Sequence, residues 1–89
     1  MDNPYSLEGR RVLVTGAAQG IGREVALLVT RLGGKVGAID LNGDALKSLS
    51  EETGGALKTF TGSVTDQSFI DGAVEDMVKE WGGVDGLFN

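Results

Sequence analysis

The eight residues from Thr15 to Gly22, Thr-Gly-Ala-Ala-Gln-Gly-Ile-Gly, constrain the fold of this chain more than any other stretch. A contiguous apolar run precedes them, and apolar residues at helical spacing follow from Ile21. A glycine-rich turn between a strand and a helix lets the backbone approach a ligand closely, and the helix N-terminus offers free N–H groups to phosphate. The alternative is a loop that is rich in glycine only because it must turn sharply.

Segments of alternating character follow one another along the chain. Hydrophobic patterns and glycine stops predict strands over 11–15, 35–40, 56–61 and 84–88, and helices over 21–32, 43–53 and from residue 65 or 66 to 81. The order β-α-β-α-β-α-β, with right-handed crossovers, predicts an α/β fold: a partial Rossmann-type doubly wound parallel sheet with strand order 3-2-1-4. That order places a crevice at the C-terminal end of the first strand, beside the glycine turn.

The predicted helices are amphipathic. Asn42 or Asp44 is positioned to cap the second helix, and Thr65 or Asp66 the third. On the first helix the apolar positions fall on one face: Ile21, Val25, Leu28, Val29 and Leu32. On the third they form a broader stripe that we expect to be buried: Phe69, Ile70, Ala73, Val74, Met77, Val78 and Trp81.

Composition excludes several classes of function. The 89 residues include no cysteine and no histidine, so disulfides, His-based acid–base catalysis and the common zinc sites are excluded. The net charge is −5 and no basic stripe occurs, so we expect no nucleic-acid partner. No long apolar run or signal peptide is evident, so we expect no membrane partner and a cytoplasmic location. The remaining acids are expected on solvated helix faces: Glu51, Glu52, Glu75, Asp76 and Glu80.

Each glycine of the turn has its own predicted role. Gly16 permits the tight exit from the strand, Gly20 lets the backbone approach the ligand, and Gly22 lets the helix pack on the sheet. Asp40 ends the second predicted strand, about eighteen residues after Gly22, where a carboxylate can accept hydrogen bonds from the ribose hydroxyls of a dinucleotide.

That carboxylate would also repel a 2′-phosphate, and neither Gln19 nor Leu41 is basic, so Asp40 favours NAD over NADP. The alternative for Asp40 is a helix cap or a solvated turn acid.

These residues resemble a known family. The stretch 15–22 is similar to the T-G-x-x-x-G-I-G cofactor motif of the short-chain dehydrogenases/reductases, and the resemblance covers nearly the whole chain. Residues 7–10 resemble the family's lead-in, 64–66 the segment after its third strand, and 84–89 the strand that leads into its N-N-A-G motif. The resemblance implies an oxidoreductase that transfers hydride between NAD and an alcohol or ketone, in a parent protein that is a homo-oligomer.

The resemblance also implies the cofactor-binding residues. Ser63 and Val64 would lie beside the adenine, although family members often carry Asp or Asn in place of Ser63, and Asn89 would be the first residue of N-N-A-G. The full set implied for the cofactor is Gly16, Gln19, Gly20, Ile21, Gly22, Asp40, Leu41, Ser63, Val64 and Asn89.

The family's Tyr-x-x-x-Lys catalytic pair does not occur in this sequence. The single tyrosine is Tyr5, and Gly9 stands four positions later. We therefore expect residues 1–89 to be the N-terminal cofactor-binding part of one Rossmann domain, ending before the catalytic half and inactive alone, with no catalytic or metal-binding residue of its own. The alternative is a non-enzymatic nucleotide-binding or interaction module, against which the apolar Leu87 and Phe88 near the end of the chain argue.

Overall fold

Strands and helices alternate through the computed structural model, which describes residues 6–89. The strands are β1 (Arg11–Thr15), β2 (Lys35–Asp40), β3 (Leu57–Thr61) and β4 (Gly86–Phe88), and the helices are α1 (Gly20–Arg31), α2 (Gly43–Glu52) and α3 (Gln67–Trp81). The predicted element order is confirmed, with β4 beginning two residues later than expected and β3 one. The predictions about Tyr5 lie outside the described residues.

All strands of the sheet are parallel. The order is β3-β2-β1-β4, with Arg11 paired to Lys35, Val36 to Leu57 and Val12 to Gly86. The predicted strand order and fold class are therefore confirmed. Because parallel strands end at the same edge of a sheet, the loops after β1, β2 and β3 meet there.

The sheet is covered on both faces, which explains why its two central strands, β1 and β2, contain contiguous apolar runs. In β1, Val14 belongs to the cluster that α1 and α2 cover, and Leu13 to the cluster that α3 covers. In β2, Ala38 and Ile39 divide between the two clusters in the same way. Alternation between the two faces is thus preserved although consecutive residues within each strand are apolar.

Helix α1 packs on the sheet through small residues as well as through part of its predicted apolar stripe. Its buried residues are Gly22, Ala26 and Val29, whereas Ile21 is 74% exposed and Leu28 49% exposed. The small residues bring the helix axis close to the sheet, and Ile21 and Leu28 face away from it. The predicted positions Val25 and Val29 do pack against the core. The predicted apolar stripe therefore overlaps the buried face of α1 only in part.

The stripe on α3 is narrower than predicted. Ala73 and Met77 are buried, but Val78 is 47% exposed, so its predicted burial is wrong. Val78 follows Met77 by one residue and points about 100° away from it around the helix, beyond the strip of sheet that α3 covers. Within the part of the chain that the structure describes, no helix is long and apolar enough to cross a membrane.

The helix caps resolve the alternatives left open by the sequence. The Asn42 side chain accepts a hydrogen bond from the Ala45 N–H at 3.0 Å, and Asp66 accepts one from Phe69 N–H at 3.2 Å. Asn42 and Asp66 are therefore the N-caps. Gly82 ends α3 in the left-handed conformation, at φ 86°.

The helix acids are not all free in solvent. Glu52 pairs with Arg23 of α1, while Asp76 and Glu80 lie 3.3 and 3.6 Å from the Lys58 ammonium on β3. These pairs are partly exposed and connect neighbouring elements, so they contribute little individually. None forms a paired-carboxylate site.

Candidate functional site

A cavity lies at the C-terminal edge of the sheet, where the predicted crevice should be. Its volume is about 290 Å³, and loops following β1, β2 and β3 all contribute to its wall. The lining residues are Gly16, Asp40, Leu41, Gly62, Ser63, Val64 and Thr65. Five of the residues predicted from the sequence are thus brought together in one place.

The glycine turn has a backbone geometry that favours glycine at three positions. Gly16 and Gly20 both have φ of 63°, in the left-handed region that favours glycine. A Cβ on Gly22 would lie 2.2 Å from the carbonyl oxygen of Gly16, so only glycine permits this contact between α1 and the end of β1. The turn is therefore sharp and closely packed, with an accessible backbone at Gly16.

The N-terminus of α1 differs from those of α2 and α3. Gln19 occupies the N-cap position without a side-chain hydrogen bond to the helix, and the first turn of α1 contains no acidic residue. In α2 and α3 the cap side chains, Asn42 and Asp66, occupy this position. The partial positive charge at the start of α1 is thus available to an anion.

Asp40 connects the loops around the cavity. Its Oδ2 accepts a hydrogen bond from the Ala18 N–H at 3.1 Å, and its Oδ1 accepts one from the Asn42 N–H at 3.0 Å. The Asn42 bond is the local turn contact that the alternative interpretation of Asp40 expected. Each carboxylate oxygen has a second lone pair, so these bonds leave capacity for ligand hydroxyls.

Two exposed aliphatic side chains line the cavity. Leu41 is 73% exposed and Val64 51% exposed, and both border the cavity. The Ser63 hydroxyl is engaged locally, since its Oγ lies 2.6 Å from the Thr65 Oγ1 and accepts the Thr65 N–H at 3.1 Å. The cavity therefore combines a carboxylate with apolar side chains that suit a flat ring.

Asn89 lies at a neighbouring cavity of about 370 Å³ on the α3 side of the sheet, which Val64 also lines. The Thr15 hydroxyl donates a hydrogen bond to the Asn89 Oδ1 at 2.6 Å, which fixes Asn89 against the end of β1. Gly20 and Ile21 border a different, shallow cavity of about 570 Å³ along the outer face of α1. The predicted residues are thus distributed over adjoining surfaces around the glycine turn.

Sequence reasoning missed several residues at this edge. Gly62 and Thr65 line the cavity and could have been inferred from their position directly after β3. Ala18 contributes only its backbone N–H, for which no sequence signal exists. Among the described residues, no group of three or more Asp or Glu side chains could hold a metal ion.

A parallel sheet of order β3-β2-β1-β4, with a glycine turn between β1 and α1, defines the Rossmann-type class of α/β proteins. The chain belongs to the short chain dehydrogenase family, whose family model matches residues 10–89. The family resemblance expected from the motifs is therefore confirmed.

The relatives of this chain are dehydrogenases and reductases by name. Sorbitol dehydrogenase of Cereibacter sphaeroides is 39% identical over 83 residues, which cover 93% of this chain and 32% of the relative. D-threitol dehydrogenase of Mycolicibacterium smegmatis is 34% identical over 92 residues, which cover 100% of this chain and 35% of the relative. The chain thus spans about one third of the length of these curated relatives.

A solved structure supports the same relationship. The crystal structure of a 3-ketoacyl-(acyl-carrier-protein) reductase from Brucella melitensis, complexed with NADH, is similar with a TM-score of 0.86 and 32% sequence identity. The match covers 92% of this chain and 34% of that one. The fold and the family therefore agree.

Proposed function

We propose that this chain is the cofactor-binding part of an NAD-dependent short-chain dehydrogenase. The complete protein would transfer hydride between NAD and a small alcohol or ketone. The observation that carries the proposal is the placement of Asp40 beside the glycine turn at the crevice, supported by the family match over residues 10–89. The NADH named in the similar reductase structure supports a nicotinamide dinucleotide as the ligand.

The geometry suits each part of a dinucleotide. The uncapped N-terminus of α1, with Gln19, Gly20 and Ile21, would bind the pyrophosphate through backbone N–H groups. Gly22 keeps that N-terminus close to the end of β1, since a Cβ there would collide with the Gly16 carbonyl. Gly16 would allow the ligand to approach the backbone closely.

The adenosine would lie in the cavity after β2. Asp40 would accept hydrogen bonds from the ribose hydroxyls, and the exposed Leu41 and Val64 would contact the two sides of the adenine. Ser63 borders the same cavity, but its hydroxyl already bonds Thr65, so a weak contact with the adenine is expected. Asn89, held by Thr15, would lie nearer the nicotinamide half.

Asp40 would also determine the choice between cofactors. A 2′-phosphate near this carboxylate would meet like charge, and none of the residues lining the cavity is basic. We therefore propose that NAD binds more tightly than NADP. The nicotinamide supplies or accepts the hydride when it is bound, and this chain's residues hold and orient the cofactor.

The chain alone is proposed to bind cofactor without turning it over. No tyrosine in its 89 residues has a lysine four positions later, so the acid–base pair expected from the family is not supplied by this sequence. The purified chain should show no change in NADH absorbance with alcohols or ketones. Measurable turnover by this chain would contradict this part of the proposal.

Calorimetric titration tests the cofactor assignment. NAD should bind the purified chain more tightly than NADP, by roughly tenfold or more if Asp40 repels the extra phosphate. Asp40→Ala should reduce the affinity for NAD and narrow the difference between the affinities for NAD and NADP. Asp44→Ala, a matched loss of an exposed carboxylate on α2, should leave both affinities unchanged. Equal or tighter NADP binding by the wild-type chain would overturn the assignment of Asp40.

A further inference from the structure

Three loops at the crevice are attached to Asp40. Its side chain accepts the Ala18 N–H of the glycine turn at 3.1 Å and the Asn42 N–H of the next loop at 3.0 Å. Its backbone carbonyl accepts the Gly62 N–H of the loop after β3 at 3.0 Å. Asp40, which is proposed to contact the ribose, thus already accepts hydrogen bonds from all three loops.

The bond to Ala18 differs in kind from the other two. Asn42 follows Asp40 by two residues, so their contact is an ordinary local turn. Ala18 is 22 residues away in the sequence, and its bond joins the middle of the glycine turn to the end of β2. Because the acceptor is a carboxylate, this is a charge-assisted bond, stronger than a bond between neutral groups.

The middle of the turn needs such an attachment. Gly16 and Gly20 at its two ends are the residues with the greatest backbone freedom. Between them, the Ala17 N–H donates to the Ile39 carbonyl at 3.0 Å, and the Ala18 N–H donates to the adjacent Asp40 carboxylate. Two consecutive amides therefore hold the turn against β2, and Asp40 supplies the only side chain involved.

We propose that Asp40 is a positioning residue for the glycine turn in addition to its proposed contact with the ribose. It holds the turn in its binding shape before the cofactor arrives, so less ordering is needed on binding. Replacing Asp40 then weakens binding of the pyrophosphate part of the ligand as well as the ribose. This inference rests on the proposed dinucleotide site for its effect on binding, but not for its effect on the free chain.

The first experiment uses the chain without ligand. Amide hydrogen exchange at Ala18 should be about tenfold faster in Asp40→Ala than in the wild type, because the amide loses its acceptor. Asp40→Asn should speed exchange at Ala18 by the same factor or less, and Asp44→Asn should leave the exchange rate at Ala18 unchanged. Exchange at Val14 in β1 reports whether each variant retains the fold. Unchanged exchange at Ala18 in folded Asp40→Ala would overturn the inference.

The same bond can be detected without any substitution. In the wild-type chain, a scalar coupling between the Ala18 nitrogen and the Asp40 carboxyl carbon reports the hydrogen bond directly. Its detection supports the inference even if Asp40→Ala fails to fold, and its absence in a well-ordered spectrum contradicts it.

The second experiment separates positioning from ribose contact. The binding of ADP and of 2′,3′-dideoxy-ADP is measured for the wild type, Asp40→Ala and Asp44→Ala. If Asp40 acts only through the ribose hydroxyls, its replacement should not affect the dideoxy ligand. We expect Asp40→Ala to weaken the binding of 2′,3′-dideoxy-ADP as well, raising its Kd by about fivefold. Equal affinity of the wild type and Asp40→Ala for 2′,3′-dideoxy-ADP would overturn the positioning role in binding. Failure of both ligands to bind the wild type would contradict the proposed function instead, while the exchange result would stand.

Discussion

Gly22 is the residue at which the glycine turn is most closely packed. A Cβ there would lie 2.2 Å from the Gly16 carbonyl oxygen and 3.1 Å from that of Thr15, and both are backbone atoms that cannot move independently of the strand. We expect Gly22→Ala to lower the free energy of unfolding by about 2–3 kcal/mol, because α1 must move away from the sheet. Urea denaturation measures the change.

A second glycine provides the control for that substitution. Gly72 lies within α3, and no atom outside the adjacent helix backbone lies within 4 Å of the position its Cβ would take. Gly72→Ala should raise the free energy of unfolding by about 0.5–1 kcal/mol, since alanine suits a helix better than glycine. Equal stability of the two alanine variants would contradict the packing described at Gly22.

At this scale the sequence predicted side chains better than backbone contacts. The spacing of the glycines indicated Gly22, and the acid at the end of β2 indicated Asp40. The role of each residue depends on its side chain or on the absence of one, which the sequence shows directly. The amide of Ala18 could not be predicted, since every residue except proline carries one. The role of Asp40 as an anchor for the turn therefore needed three-dimensional structure.

Among the secondary-structure elements, β1, α3 and β4 meet at Arg11. The Arg11 guanidinium donates to both carboxylate oxygens of Asp85 at 2.8 and 3.0 Å and to the Trp81 carbonyl at the end of α3 at 3.1 Å. The hydrogen bonds from the Arg11 side chain, and then that from its backbone N–H, lower the pKa of the Asp85 carboxyl from 3.8 to about 2. This ion pair lies at the edge of the sheet opposite the crevice.

The shifted pKa of Asp85 predicts how stability depends on pH. Folding favours the ionised carboxylate, so the stabilisation is complete above the unfolded pKa of 3.8 and is lost as the pH falls through the folded pKa of about 2. Asp85→Asn should therefore be less stable than the wild type at neutral pH, and the difference should shrink as the pH falls through this range.

Urea midpoints of the two chains measured from neutral pH to about pH 2 test this dependence. Asp71→Asn, which changes an exposed carboxylate within α3, serves as the control and should follow the wild-type profile. A constant difference between wild type and Asp85→Asn across the acid range would contradict the assigned role of the pair.

Periodicity predicted where the elements are but not how each one packs. Apolar spacing and glycine stops indicated α1 and α3 closely. The spacing indicated Val29 as a buried residue of α1 but could not show that Gly22 and Ala26 pack beside it, because contact distance depends on small residues that hydrophobicity scales barely register. Spacing also could not predict that Val78 is exposed, because its exposure depends on how much of the sheet α3 covers.

In the molecule as a whole, β4 is an edge strand with an exposed apolar side chain. It pairs with β1 alone among the described residues, and Leu87 within it is 65% exposed. Unpaired strand edges with apolar side chains favour association between chains. We expect the purified chain to self-associate in a concentration-dependent manner, measured by sedimentation velocity.

Two matched substitutions test whether that edge is responsible. Leu87→Lys should reduce the association by adding charge to the strand edge. Leu41→Lys, which changes a leucine that is 73% exposed beside the crevice, should not. Equal association of both variants would contradict a role for β4.

The architecture of the whole molecule was the most predictable level. Right-handed crossovers and short connections leave few arrangements for a β-α-β-α-β-α-β chain. The glycine turn then indicates where in that arrangement the crevice lies. The distribution of the predicted site over adjoining cavities was not predictable, because it depends on loop conformations that side-chain patterns do not determine.

The crevice around Asp40 is the proposed binding site of the dinucleotide. Amide chemical shifts of the isotopically labelled chain, recorded during titration with NAD, test it most directly. We predict that the largest saturable changes occur at Gly16, Ala18, Leu41 and Val64, with little change at Asp85 on the opposite edge of the sheet. An absence of saturable changes, or changes confined to the outer face of α1 around Leu28, would contradict the claim.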